Sequence, residues 1–391
     1  MSTLLRRITP AERRARLARR HLLASSVRVD SPEGVAEALV GLHATDPATV
    51  FLAAAARMTA PDVAAVERAL YEDVTLARLR CMRRTMFVLP DHLAPIAHAA
   101  TAKKAVNHRA DAVKRLREAA GWDEHRYTSA EHDLLAALAA RGEASAAELA
   151  ADVPALREQF VTFPGKPYES RQRVASPILG ALAADGRIRR ARPAGSWTSA
   201  QFRWTYAEPP PQVPVAEAKA ALARHYLASF GPATADDLKW WTGWSLTDTR
   251  TSLAATGAEA VELDEGTGYL LPDDTTPLAE PEPAAALLPS LDPTAMGWRQ
   301  RDWYLDPDHV PALFDRNGNI GPTVWWNGTI IGAWAQHPNG HINHHLLTDP
   351  GHEARTAVQS QIARLTAFLG DSRITPCYRT PLERQLAAQP A

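Results

Sequence analysis

The chain repeats one arrangement of elements, and that repetition limits its folds more than any single motif does. In the middle, Ser129–Arg141 reads as a helix, with Leu134, Leu135 and Leu138 at helical spacing, Ser129 as cap and Gly142 as stop. Ser145–Ala151 reads as a short second helix, with Ser145 and Glu148 as a capping box. Val174, Ile178, Leu179 and Leu182 predict a third helix over Ser170–Asp185, stopped at Gly186. Strand-like runs Arg187–Ala191 and Gln201–Ala207 follow, joined by a loop with Gly195. Three helices feeding a two-stranded wing make the winged variant of the helix-turn-helix.

The pattern recurs. Val215–Ser229, Thr234–Thr242 and Ser245–Thr256 read as helices, followed by strands Ala260–Asp264 and Gly268–Leu271. An earlier copy runs from Thr9, with helices Pro10–Ala24 and Pro32–Leu42 and a strand-like Arg84–Leu89. Each copy ends in a short strand and a proline, a natural stop to a ladder. Ala284–Leu347 differs, being rich in Trp, Gly and β-branched residues. There, Asn327-Gly328 between two apolar runs predicts a hairpin with a type I′ turn. We expect a small β-barrel or curled sheet, then an amphipathic helix over Glu353–Leu369. The Pro-rich Glu280–Pro283 marks the boundary before it. The expected fold is α+β, mainly α with β wings: tandem winged-helix domains plus a C-terminal β-barrel. The expected domains are 1–125, 126–212, 213–280 and 281–391.

With 46% apolar residues, the 391-residue chain has enough for packed cores. No apolar run approaches the ~20 residues of a membrane span. The Arg-rich N-terminus is not followed by the apolar stretch of a signal peptide. Two cysteines make no disulfide framework, so a reduced, cytoplasmic setting is expected. Net charge is near zero, yet charge is segregated. Arg6–Arg20 holds seven arginines and one acid, Arg171–Arg192 six arginines and one acid, and Glu259–Glu282 eight acids and no base. Such segregation suits a basic face for a phosphate backbone; ordinary solvated helix faces are the other reading. Winged units also serve as protein–protein modules, so topology alone does not give DNA binding.

Gly41-Leu42-His43-Ala44-Thr45-Asp46-Pro47 closes one helical pattern and opens another. It gathers an imidazole, a hydroxyl and a carboxylate at a bend, as a small reaction centre needs. Asp46 before Pro47 is also an ordinary N-cap, and a capping Asp46 has its oxygens committed. Other candidates are weaker. The histidines His337, His341, His344 and His345 read as a loop cluster at the barrel edge, so no metal site is expected. Trp240, Trp241 and Trp244 at helical spacing read as packing. Thr162–Lys166 lacks the helix and hydroxyl of a phosphate loop, and no cofactor is expected. Arg171, Arg173, Arg187, Arg189 and Arg190 fall on the predicted third helix and wing of the central unit, the part that usually meets DNA.

Together these elements resemble the winged-helix DNA glycosylases of the AlkZ/YcaQ type, which remove bulky alkylated bases and include self-resistance proteins of antibiotic producers. The resemblance covers Ala11 to about Leu347. It rests on Gly41–Thr45 and the small-residue helix after it, and on Met82-Arg83-Arg84-Thr85-Met86-Phe87. It rests also on Leu287–Asp292 leading to Arg299 and Arg301, and on Val324–Trp334. It implies tandem winged helices and a barrel in an open C around duplex DNA, without a metal. Members carry Gln, an apolar residue, then Gln or Asp where this chain has His43, Ala44 and Thr45. It thus implies catalytic His43 and Thr45, with Asp46 stabilising the sugar cation or orienting His43. We expect the His43 ring within hydrogen-bond reach of Thr45 or Asp46. An Asp292–Arg301 pair is expected in the barrel, with Arg299 and Arg301 toward the DNA. The expected activity is monofunctional hydrolysis of N7-alkylguanine from duplex DNA by a monomer with no membrane partner, associated with the nucleoid when bound. The alternative is a non-catalytic winged-helix DNA-binding protein.

Overall fold

The computed structural model describes residues 5–102, 107–166, 169–274, 276 and 282–389. Part of the expected boundary Glu280–Pro283 lies outside them. Over the described residues there are two compact units, one formed by 5–77, 81–101 and 213–389, the other by 78–80, 102 and 107–212.

The first unit opens with α1 (Pro10–Arg20), where the Thr9 hydroxyl accepts the Glu12 amide. Then come α2 (Pro32–Ala38), the two-residue strand β1 (Leu42–His43), α3 (Pro47–Arg57) and α4 (Val63–Glu67). Strand β2 (Leu76–Arg80), whose last three residues count with the second unit, a tight turn at Met82–Arg84, β3 (Met86–Pro90) and α5 (Ala94–Thr101) follow. The sheet order is β1-β3-β2.

The second unit holds α6 (His108–Ala120), α7 (Glu124–Arg141), β4 (Glu143–Ser145) and α8 (Ala146–Asp152). A hairpin of β5 (Gln159–Thr162) and β6 (Ser170–Arg173) precedes α9 (Ala175–Ala184), β7 (Ile188–Pro193) and β8 (Phe202–Tyr206). The sheet order is β4-β8-β7, and the Ser145–Glu148 capping box is formed in both directions.

Back in the first unit are α10 (Val215–Phe230), β9 (Ala233–Thr234), α11 (Ala235–Thr242), α12 (Leu246–Ala255), β10 (Glu259–Leu263) and β11 (Gly266–Leu270), in sheet order β10-β11-β9. One scheme therefore occurs three times. A short strand leads into two helices and then two strands, and the last strand lies between the other two.

The remaining elements are β12 (Ala285–Leu288), α13 (Val310–Leu313), β13 (Thr323–Trp326), β14 (Thr329–Gln336), β15 (Ile342–Leu346), α14 (Gly351–Leu369) and α15 (Pro381–Ala388). The four strands form an open antiparallel sheet in sequence order, not the expected closed barrel, among the described residues. Helix α14 packs on β12 and α15 on β14, so helices cover what barrel closure would otherwise bury. Asn327 (φ 46°) and Gly328 (φ 75°) both take the left-handed conformation that a type I′ turn requires. A Cβ on Gly328 would also meet Arg14 Cβ and its carbonyl at 2.9 Å. No helix of the described residues is long and apolar enough to cross a membrane.

Three other expectations change. The predicted helix Ser170–Asp185 starts only at Ala175, because Ser170–Arg173 is drawn into pairing with Gln159–Thr162. The Gly41–Pro47 junction contains a strand, since Leu42 and His43 pair with Val88 and Phe87. Four of the seven N-terminal arginines, Arg7, Arg13, Arg16 and Arg20, meet the acidic segment. The chain before α1 bridges Glu262, with Ile8 N donating to the Glu262 carbonyl at 2.9 Å. Around it Arg7 pairs with Asp264 at 2.9 Å, Arg16 with Asp274 at 2.7 Å, Arg13 with Glu265 and Arg20 with Asp274.

Candidate active site

Helix α3 is the axis of the site. Ten of its eleven residues are buried, and both ends are tied. At its start Asp46 accepts the Ala48 amide at 3.1 Å and, through its other oxygen, the Cys377 amide at 2.9 Å. At its end Arg57 makes a two-pronged bond to Asp292, 2.9 and 2.7 Å, both side chains fully buried. The expected partner of Asp292 was Arg301; Arg57 occupies it instead. Arg57 also donates to the His21 and Ala53 carbonyls and to Thr294 Oγ1, so the pair is fully hydrogen-bonded.

The residues just before α3 place His43. Val40 (φ 50°) and Gly41 (φ 99°) are both left-handed, and a β-branched residue there is strained. A Cβ on Gly41 would come within 3.0 Å of the Val88 carbonyl, so glycine lets β1 approach β3. The His43 ring, 5% exposed, lies 5.2 Å from the Phe87 ring. Neither ring nitrogen hydrogen-bonds to a described residue, and Nδ1 is fully buried without a partner. Burial first, then the nearby Arg83 charge, lower its pKa to about 4, so the ring is neutral at pH 7. The expected bond from His43 to Thr45 or Asp46 is not present. Thr45 is half-buried beside it. Asp46 has both oxygens engaged by backbone amides, so it holds the backbone. A small cavity, lined by Asp46, Thr49, Ser290, Trp334 and Gln336 among others, adjoins this carboxylate, and His43 is not part of its lining.

Two residues with no functional role assigned from sequence come together with Arg301. The turn between β2 and β3 carries Arg83, whose guanidinium carbon lies 3.9 Å from the Trp240 ring centre; that of Arg301 lies 4.9 Å from the same ring. Trp240 was read with Trp241 and Trp244 as packing. It is half-buried and takes two cations, while Trp241 and Trp244 are buried. The signal for Arg83 was the Met82–Phe87 segment; nothing local marked Trp240.

The other expected DNA contacts are dispersed. Arg171 and Arg173 stand exposed on β6, a strand and not a helix. Arg187 lies 2.5 Å from Glu131, which also takes Arg109 at 3.0 Å. Arg189 and Arg190 are half-buried on β7, Arg190 4.6 Å from the Phe202 ring centre. Arg299 is exposed, 3.5 Å from Asp236.

The sequence model of the AlkZ-like DNA glycosylases matches residues 36–368. No curated protein matches the chain in sequence. Among solved structures, DNA glycosylase AlkZ of Streptomyces sahachiroi has a similar fold, at TM-score 0.69 and 20% identity over 94% of this chain and 98% of that one. At that identity the structural likeness speaks for the fold, and the family match over most of the chain speaks for the rest. The chain belongs to the AlkZ-like DNA glycosylase family, and its activity is that of a DNA glycosylase.

Proposed function

We propose that this glycosylase hydrolyses the N-glycosidic bond of cationic alkylated purines, N7-alkylguanines foremost, in duplex DNA, and leaves an abasic site. The observation that carries this is His43, a buried, neutral imidazole with an unpartnered nitrogen, where the sequence resemblance implies the catalytic motif. A base alkylated at N7 already bears positive charge. When the C1′–N9 bond breaks, its electron pair leaves with the base and C1′ becomes an oxocarbenium ion. A water oxygen then bonds to C1′ and sheds one proton. His43 orients that water through its ring nitrogen, with the Thr45 hydroxyl as second partner. A ring with a pKa near 4 is a weak base toward bulk water. It suffices for a water already bonding to a carbocation, whose proton is far more acidic.

Asp46 acts at one remove, fixing the α3 start from which Thr45 and His43 hang. No lysine lies within Gly41–Pro47, so no Schiff base forms there and the abasic site is the product. The threefold strand-and-helix scheme supports three winged-helix units. Arg171, Arg173, Arg189, Arg190 and Arg299 contact phosphates, and Arg187 exchanges Glu131 for one. One chain carries every group used, so a monomer suffices.

The test is a duplex with a single N7-methylguanine, followed by chromatography of released base and alkali cleavage of the strand. The wild type should release N7-methylguanine. His43→Ala should lose about 100-fold or more in rate with little loss of affinity. Tight binding without base release would make the chain a DNA-binding protein only.

A further inference from the structure

We propose that Arg83 and Arg301, both packed on Trp240, form a two-pronged seat for one phosphodiester of the duplex, the one bordering the nucleotide whose sugar lies against His43. The position of that phosphate rests on the function proposed above; the seat itself rests on the following geometry. Arg83 Nε, Arg301 Nε and Arg301 Nη2 are buried and without hydrogen-bond partners. Neither guanidinium has a carboxylate within ion-pair distance among the described residues. Instead each is close enough to the other to feel its charge, and burial together with Arg301 lowers Arg83 to about 10. Both residues are half-buried. Two like charges side by side with three idle donors are unfavourable, and the indole, the Phe314 ring 5.3 Å from Arg301 and a hydrogen bond between Arg301 and Tyr304 answer only part of it. An incoming phosphate oxygen pair answers all of it. It takes the in-plane N–H forks of the guanidiniums and cancels their repulsion.

Both prongs are held by separate anchors. Arg83 and Arg84 are consecutive left-handed residues, φ 49° and 61°, a strained conformation held by the strands on either side. The turn packs on α11 and leads into β3, the strand that pairs with His43, so prong and imidazole share one sheet. Arg301 is set from the opposite direction in sequence. The buried Asp237 at the start of α11 accepts the Arg299 and Gln300 amides at 2.8 and 3.1 Å, and Trp240 stands on the same helix. A seated phosphate also offsets the Arg83 charge that bears on His43. Binding of DNA and the basicity of the ring are thereby linked.

The experiment is a coupling measurement by fluorescence anisotropy on a duplex with a single tetrahydrofuran abasic analogue. A neutral methylphosphonate is placed in turn at each position around the analogue. At one position the methylphosphonate should weaken wild-type binding about tenfold or more. Arg83→Gln/Arg301→Gln should lose as much on the all-phosphate duplex and nothing further from that methylphosphonate. Its slope of log affinity on log salt should fall by about one unit. Equal methylphosphonate costs in wild type and double variant at every position would overturn the seat. Should the double variant fold poorly, the same cycle with Arg83→Lys decides: it keeps the charge, loses the fork, and should show part of the coupling. Full wild-type coupling in that variant together with full wild-type affinity would also count against the seat. Binding to the abasic analogue needs no catalysis, so coupling without base excision leaves the seat standing and removes the proposed function. Excision without coupling does the reverse.

Discussion

Arg16 and Arg83 are both arginines carried into the first unit, and their surroundings differ. Arg16 meets Glu12 at 3.0 Å, Asp274 at 2.7 Å and the Thr276 carbonyl at 2.9 Å. Arg57 meets both oxygens of Asp292. Arg83 meets an indole and another arginine. Taking a guanidinium out of water costs several kcal/mol unless an opposite charge and hydrogen bonds replace the water. Where the replacement is complete, the arginine is part of the fold. Where it is missing, as at Arg83, our proposal is that the arginine is kept for an anion from outside. The same chain does both, so the difference lies in role and not in a shortage of acids.

The largest expected effect is on the paired side. Asp292→Ala leaves Arg57 charged, buried and unanswered, and should cost about 3–5 kcal/mol in denaturant unfolding. A cost below about 1 kcal/mol would mean that pairing does not separate the two classes.

The two buried histidines extend the contrast, since His21 lies near the paired Arg57 and His43 near the unpaired Arg83. Burial first, and then these cations, lower both pKa values, His43 to about 4 and His21 well below the usual range. The unfolded chain binds both protons near pH ~6.5 and the folded chain does not. Below that pH the unfolded state holds more protons. Stability is therefore full above about 6.5 and drains as the pH falls toward 4, by about 3 kcal/mol for His43. His43→Gln should flatten the acid limb of the stability profile by that amount. An unchanged limb would mean His43 titrates in the folded state much as it does in water.

The smallest effect belongs to the exposed arginines. Arg171→Gln/Arg173→Gln should reduce the salt slope of DNA binding by up to about 1.8 units, ~0.9 for each phosphate, with unfolding unchanged. An unchanged slope would place the outer DNA contacts away from the β5–β6 hairpin.

Features fixed by neighbours in sequence were legible. The Asn327-Gly328 turn needs only two left-handed residues, and the Ser145 capping box closes within four. Asp46 as the cap of α3 was visible for the same reason. What failed was long-range. The Arg-rich start and the acidic segment were each plain in the sequence. Their meeting depends on a bridge between Arg7 and Glu262, more than 250 residues apart. Helical periodicity carried the predicted third helix too far, because the apolar pattern cannot show that Ser170–Arg173 pairs backward. The barrel was overread from strand-rich composition; four strands covered by α14 and α15 need no closure. The Gly41–Pro47 junction was legible from its spacing. That Arg83, Trp240 and Arg301 come together was not, since a turn, a helix and a loop from three parts of the chain supply them.

Thermal melting of Arg83→Gln/Arg301→Gln with and without the abasic duplex tests most directly whether half-buried arginines without a carboxylate partner are kept for DNA. A ligand that binds only the folded state raises the melting temperature according to its affinity. The unliganded double variant should melt at or above the wild type, because a buried repulsion has been removed, and the rise induced by the duplex should shrink. A variant that melts several degrees lower while keeping the full duplex-induced rise would show that these arginines serve the fold, as Arg16 and Arg57 do.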